Sequence, residues 1–405
     1  MTGTNAGASF EVVIVGAGPA GLIIALMLAQ KGISATVLEK SIEIDRNPRA
    51  CFYSSPAIHE LRRAGLMEDI MKRAFIPDGV TWRHLGGAKD MEKICTIHAH
   101  NPPGAETMIS LPLDELLPLM AEHLSRYLSA KVLLNHEVVS IGQNENKAWA
   151  DVRTPEGEKR FEADYIVGCD GANSTVRREL FGDNFPGFTW DKQIVATNVY
   201  LPKFKDYNWT SSTFMIHPEH FPMIAQITRD GLFRITYGEE GGLTREQMRE
   251  RQPWKYKQFV PGAPEPEEYN IVNFSPYKIH QRCAEKLRVG RICLAADAAH
   301  LCNPFGGMGL TGGLVDAGNL FDCLYGIATS QADDSILDKY SEIRIRKYKD
   351  IIDPVSRGNI QRLWDPTPET IKADTFFQAV QLAEKDKEFA DQMAKVSIQD
   401  YSVNL

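Results

Sequence analysis

Apolar residues along this chain first cluster and then fall into period. Residues 10–15 form a short β-branched apolar run, residues 22–30 an apolar stretch of helical length, and residues 35–38 a second apolar run ending at Glu39. Short apolar runs bounded by glycine read as buried strands, so the order strand, helix, strand predicts a βαβ unit. A helix is predicted over 56–64, closed by Gly65, and strands with turns over 79–100. Apolar side chains at 113, 116, 117, 120, 124 and 128 follow a helical period that continues through Pro118. Strands are expected over 131–140, 149–154 and 159–166, the last two joined by a turn at 155–157.

From residue 191 the pattern becomes a series of β-rich runs at 193–201, 211–217, 223–228 and 232–238, which predicts an antiparallel sheet inserted between pieces of the nucleotide-type domain. Alternation over 232–238 puts Phe233, Ile235 and Tyr237 on one face and Arg234 and Thr236 on the other. Residues 241–268 are polar, proline-bearing and partly helical, and 273–278 and 291–295 return to strand. Beyond Gly313 the pattern is helical, with 340–352 charged and surface-facing and 374–396 an amphipathic docked tail.

With 405 residues the chain exceeds the usual size of one hydrophobic core, so two closely packed domains are expected. The balance of 45 basic to 53 acidic residues, net charge −8, argues against a nucleic-acid or anionic-membrane surface. Residues 12–29 carry no charge, yet strand and turn cues interrupt them and residues 1–10 lack a positive leader, so neither a membrane span nor a signal peptide is expected. Seven scattered cysteines without a C-x-x-C pair fit reduced thiols and a cytoplasmic protein, with neither a disulfide framework nor a zinc site. His98 and His100 have no third ligand nearby, so no metal is expected.

Glycine carries the candidate chemistry. Gly16-Ala-Gly18-Pro19-Ala20-Gly21 sits between strand and helix, with Glu39 at the end of the next strand. That is the arrangement of a dinucleotide site: a tight turn, a pyrophosphate at a helix N-terminus, and an acid for a ribose hydroxyl. Cys169-Asp170-Gly171-Ala-Asn-Ser174 ends another strand, with Arg177 on the helix behind it. Residues 295–313 place Asp297 beside Gly306, Gly307, Gly309, Gly312 and Gly313, ahead of a helix. The alternative for the first segment is a doubly wound domain without a ligand, and for the last a glycine-rich turn between a strand and a helix.

Taken in this order, with a sheet inserted between them, the three segments resemble the FAD-dependent class A flavoprotein monooxygenases of the para-hydroxybenzoate hydroxylase type, over about residues 9–350. The resemblance implies an α/β fold: a Rossmann-like, GR2-type FAD-binding domain with an inserted antiparallel substrate sheet and C-terminal helices. It divides the chain into FAD-binding parts at 9–80, 111–190 and 276–350, substrate parts at 81–110 and 191–275, and a tail at 351–405. It implies bound FAD, NADPH or NADH as co-substrate, and O2. By it, Gly16, Gly18, Pro19, Ala20, Gly21, Glu39, Lys40 and Arg49 contact the ADP half, Asp170 and Gly171 form the middle motif, and Asp297 holds the ribityl hydroxyls. Pro304, Gly307, Met308, Gly309 and Leu310 face the pyrimidine edge, where N–H dipoles stabilise reduced flavin. Ala296 stands where the family usually has glycine, tolerable if the backbone is not left-handed, and Thr311 where asparagine is common.

The implied reaction is hydride transfer to FAD, oxygen capture as a C4a-hydroperoxide, and oxygen transfer to a phenolic or other aromatic small molecule. Epoxidation, oxidative decarboxylation or dearomatisation of a secondary metabolite is the alternative outcome, and a non-catalytic flavin scaffold or redox sensor the alternative role. Tyr237, His217 and Pro304 are the candidate catalytic residues, with Tyr53, His59 and Arg83 as further pocket candidates. The assembly expected is a monomer or homodimer.

Overall fold

The computed structural model describes residues 10–44, 50–87, 89–99, 108–364 and 367–392. Its first layer is a six-stranded sheet in the order Arg288–Val289, Ile292–Leu294, Tyr165–Gly168, Glu11–Val15, Ser34–Leu38, Ala130–Leu133. All neighbours pair parallel except the hairpin at the Arg288 edge. Val12, Val13, Ile14 and Val15 are all buried, as a central parallel strand requires. The helix Pro19–Gln30 is apolar on every side, because it lies between that sheet and the helices Leu113–Leu124 and Met308–Ala328. Its Leu22, Ile23 and Ile24 are fully buried, each worth about 1.5–3 kcal/mol against exposure.

The second layer is an eight-stranded sheet in the order His300–Leu301, Asn270–Cys283, Gly187–Tyr200, Leu232–Glu239, Met223–Gln226, Ser212–Ile216, Gly79–Gly87, Asp90–His98. Its pairs are antiparallel save Ser212–Ile216 with Gly79–Gly87. One face is covered by the helix Arg245–Phe259, with Met248, Tyr256 and Phe259 packed on Val195, Phe233, Ile235 and Tyr237. The other carries Ile194, Phe214 and Met223 against Phe305 of the glycine loop and Ile360 and Phe377 of the C-terminal helices.

The strand expected over 131–140 divides in two. Asn135 is left-handed at φ +57°, so Ala130–Leu133 stays in the parallel sheet and Glu137–Gln143 joins a separate three-stranded sheet. The charged stretch 340–352 is not simply surface: Tyr340, Arg344, Tyr348 and Ile352 are buried. No helix among the described residues is long and apolar enough to cross a membrane.

Candidate functional site

Steric limits shape the first glycine turn. Gly16 has φ +104°, and a Cβ there would lie 2.5 Å from the Cys169 carbonyl oxygen, so only glycine fits between the two strand ends. At Gly21 a Cβ would lie 2.1 Å from the Gly16 carbonyl oxygen, so its absence lets helix and strand close up. Gly18 is different: nothing lies within 4 Å of where its Cβ would be. That open space sits at the start of the helix that has Pro19 in its first turn and Ala20 and Gly21 following, as a phosphate cradle demands. Glu39 accepts hydrogen bonds from the Ala17 N–H at 2.9 Å and the Ser41 N–H at 2.9 Å, so it ties down the same turn from the next strand. Lys40 is exposed beside it, and Arg49 lies outside the described residues.

The second segment is a helix cap. Asp170 accepts from Ser174 Oγ at 2.5 Å and from the Thr175 N–H at 2.6 Å, which anchors the helix Thr175–Phe181. Burial pushes its carboxyl up, against the pull of those bonds. Gly171 beside it leaves open space. Arg177, on that helix, donates to the Ala172 carbonyl at 2.8 Å and the Ala298 carbonyl at 3.1 Å, tying the middle segment to the Asp297 turn.

In the third segment, Ala296–Ala298 makes a single 3-10 turn that leaves Asp297 exposed. Ala296 itself has φ +56°, so the condition under which alanine replaces glycine without cost is not met: this backbone is left-handed. Gly307, φ +66°, is the N-cap of the helix Met308–Ala328, and the space beside it is open. The first turn there begins at Met308, and the helix itself supplies no carbonyl partner for the N–H groups of Gly309 and Leu310. Pro304 is exposed and its carbonyl accepts from the Gly307 N–H at 3.2 Å. Buried Asn303 holds the loop from below: its N–H and Nδ2 donate to Gln281 Oε1 at 2.7 and 3.1 Å, and its Oδ1 accepts from the Phe305 N–H. Thr311 is turned to Ser54, Oγ1 to Oγ 2.9 Å. Three cradles that a side chain would fill, beside two helix N-termini and an exposed acid, fit the FAD that the resemblance implies.

The eight-stranded sheet meets this loop through Phe305, whose ring lies 6.4 Å from Phe214 and 6.0 Å from Phe221. The inner face is the one with Phe214, Met223 and Thr236, by register, and Arg234 shares it. Arg234 is only 7% exposed, and its Nε donates to Asn198 Oδ1 at 2.9 Å. Its charge reaches Cys51, Tyr53 and Tyr277. Tyr277 pairs with Ile194 and so shares this face, keeps 39% of its surface open, and burial pushes its phenol up to about 12.

Tyr237 is on the opposite face. It is fully buried under the helix Arg245–Phe259, against Phe259 at 5.4 Å and Tyr256 at 6.2 Å, so the expected substrate contact is corrected: Arg234, its neighbour in alternation, faces the site. His217 caps a turn instead of facing the loop. Its Nδ1 accepts from the Glu219 and His220 N–H groups at 3.1 Å, and its ring stacks on His220 at 4.4 Å. Tyr53 donates to the Leu111 carbonyl at 2.9 Å, His59 is exposed, and Arg83 stacks on Trp209 at 4.3 Å. A groove of about 670 Å³ between Gly358 and Phe377 contains none of the glycine-loop residues.

Arg234, Asn198, Tyr277, Asn303 and Arg177 were not singled out as contacts by pattern. Alternation along 232–238 did place Arg234, and a charged residue inside a strand of an inserted sheet was the available signal.

The FAD binding domain family matches residues 9–354. Para-nitrophenol 4-monooxygenase of Pseudomonas sp. (strain WBC-3) is 34% identical over 371 residues, 91% of each chain. 6-Hydroxy-3-succinoylpyridine 3-monooxygenase of Pseudomonas putida (strain DSM 28022 / S16) is 32% identical over 369 residues, 90% of this chain and 91% of the relative. The crystal structure of p-nitrophenol 4-monooxygenase from Pseudomonas putida DLL-E4 superposes with a TM-score of 0.91 at 31% identity, covering 98% of this chain and 99% of that one.

Proposed function

The chain belongs to the FAD binding domain family and is an FAD-dependent aromatic monooxygenase using NAD(P)H and O2; from that premise we propose that its substrate is a small phenol, ionised near neutral pH and substituted para to the hydroxyl, and that oxygen enters at that para carbon. Buried Arg234 on the inner sheet face is the observation that carries this reading. A guanidinium removed from water prefers an anion to a neutral hydroxyl, so it selects phenolate over phenol. Phenolate oxygen in turn raises electron density at the para carbon, which is the carbon an electrophilic oxygen seeks. Both named relatives put oxygen on a ring carbon that is para to a hydroxyl and already substituted, which supports the same regiochemistry here.

When bound, FAD supplies hydride acceptance from NAD(P)H and activation of O2. The chain's residues position it and the substrate. Gly16, Gly18, Pro19, Ala20 and Gly21 receive the pyrophosphate, and Glu39 with Lys40 flanks the ribose. Asp170 and Gly171 shape the wall, Asp297 faces the ribityl hydroxyls, and the Met308, Gly309 and Leu310 N–H groups meet the pyrimidine edge beside Pro304 and Gly307. Asn198 fixes the guanidinium of Arg234, and Tyr277, protonated at neutral pH, donates to the ring substituents. One oxygen atom of O2 enters the ring and the other leaves as water, at the expense of the hydride and a proton. A substituent such as nitro departs with the electron pair of its bond. The FAD parts are 9–80, 111–190 and 276–350, the substrate parts 81–110 and 191–275, and the tail 351–405, in a cytoplasmic monomer or homodimer. Epoxidation, decarboxylation and a non-catalytic role have no such support.

The test is NADPH and NADH oxidation by the holoenzyme across para-substituted phenols of graded acidity, with product mass under ¹⁸O2. Strongest stimulation by phenols ionised at the assay pH, with label at the para carbon, is expected. Stimulation only by aromatics without a hydroxyl would sink the proposal.

A further inference from the structure

Behind the exposed Asp297 turn lies a buried charge cluster that no cofactor contact explains. Three donors converge on the two oxygens of Asp316: the Ala296 N–H at 2.9 Å and His300 Nε2 at 2.7 Å on Oδ2, and Arg344 Nε at 2.5 Å on Oδ1. Asp316 and His300 are almost wholly buried, and Arg344 also reaches the Gly312 carbonyl at 3.4 Å. Burial alone would raise the Asp316 carboxyl, but His300 and Arg344 outweigh it and hold it below the usual carboxylate range, so the anion persists.

Ala296 needs such a partner. A residue with a Cβ in the left-handed region is strained, and strain of that kind persists only where the surroundings over-determine it. The Ala296 Cβ is also wedged against the Met308–Ala328 helix, where a Cβ at Gly313 would come within 2.7 Å of it. Asp316 is on that same helix, whose N-terminus is the Gly307 cap. One carboxylate therefore joins the Asp297 turn to the glycine-capped helix.

We propose that Asp316, supported by His300 and Arg344, is a positioning residue for FAD: it holds Ala296 left-handed and so aims Asp297, in register with the N-terminus of the Met308–Ala328 helix. This rests on FAD binding and not on the phenol assigned above. Asparagine cannot substitute, because it offers one acceptor oxygen where three donors need two.

The experiment compares FAD rebinding to deflavinated Asp316→Asn, Ala296→Gly, Asp297→Ala and their pairwise combinations, read by flavin fluorescence, with the melting temperature of each apoprotein. Asp316→Asn should weaken FAD about tenfold or more. Ala296→Gly, which needs no enforcement, should restore about fivefold of that loss while changing the parent protein little. Asp316→Asn should cost almost nothing further in the Asp297→Ala background. Unchanged FAD affinity in Asp316→Asn, a full additional loss on top of Asp297→Ala, or no rescue by Ala296→Gly would each overturn the proposal. Should Asp316→Asn not fold alone, the comparison runs in the Ala296→Gly background, and failure to fold there as well overturns it by making Asp316 a general core residue.

Discussion

The cofactor edge and the inner face of the eight-stranded sheet meet at Phe305, and they are made of different material. The cofactor edge is main chain: Gly18, Gly171 and Gly307 leave space, and helix N-termini supply N–H groups. The sheet face is side chain: Arg234 on Asn198, with Tyr277 and Phe214 nearby. A backbone site recognises what all members of a cofactor class share, a pyrophosphate and a flavin edge. A side-chain site can change with one substitution while the fold stays, which is how one scaffold serves different ring substrates.

The sharpest way to separate the two is Gly18→Val. Its backbone is extended at φ −74°, and nothing occupies the space a side chain would enter, so the apoprotein should melt within a few degrees of the parent. FAD should nonetheless bind about 100-fold more weakly, the loss of roughly two charge-assisted hydrogen bonds, measured by flavin-to-protein absorbance ratio and rebinding. Retained flavin would break the backbone account.

A second effect is smaller and belongs to the cofactor half alone. Glu60 is buried against the Met308–Ala328 helix, where a Cβ at Gly318 would meet its carboxylate at 2.1 Å. Burial pushes its carboxyl from 4.5 up to about 7, against the pull of Arg63 at 2.8 Å. A raised acid stabilises the fold fully below pH 4.5, and that contribution is lost as pH rises through about 7. Glu60→Gln should therefore be more stable than the parent at pH 8 by on the order of 1 kcal/mol, and equal to it near pH 4.5. Thermal melts at the two values decide it, and a larger gain at the acidic one would reverse the sign.

The smallest effect is expected at Tyr237. Its hydroxyl has no hydrogen-bond partner among the described residues, so Tyr237→Phe should stabilise by roughly 0.5–1 kcal/mol in chemical unfolding and leave kcat/KM within about twofold. A large loss of kcat/KM would return Tyr237 to the substrate.

The same contrast governs what was legible in the sequence. Glycine spacing exposed the cofactor loops, because a tight turn or a close approach excludes other residues. Alternation along Leu232–Glu239 separated Tyr237 from Arg234 correctly but not which of them faces inward. That is decided by the helix Arg245–Phe259, so polar in sequence that its apolar contacts, Met248, Tyr256 and Phe259, do not advertise a covering role. Arg344 was hidden in the same manner, inside a charged stretch that reads as surface. Ala296 gave no sign of its left-handed backbone, since the carboxylate that its N–H meets, Asp316, lies 20 residues further along the chain.

Arg234→Met tests the division of labour most directly, with flavin content and substrate-stimulated NAD(P)H oxidation measured on one preparation. The account predicts full FAD occupancy and a kcat/KM for ionised para-substituted phenols lowered about 100-fold, the loss of a buried charge-assisted contact. Flavin lost together with activity, or kcat/KM unchanged, would contradict it.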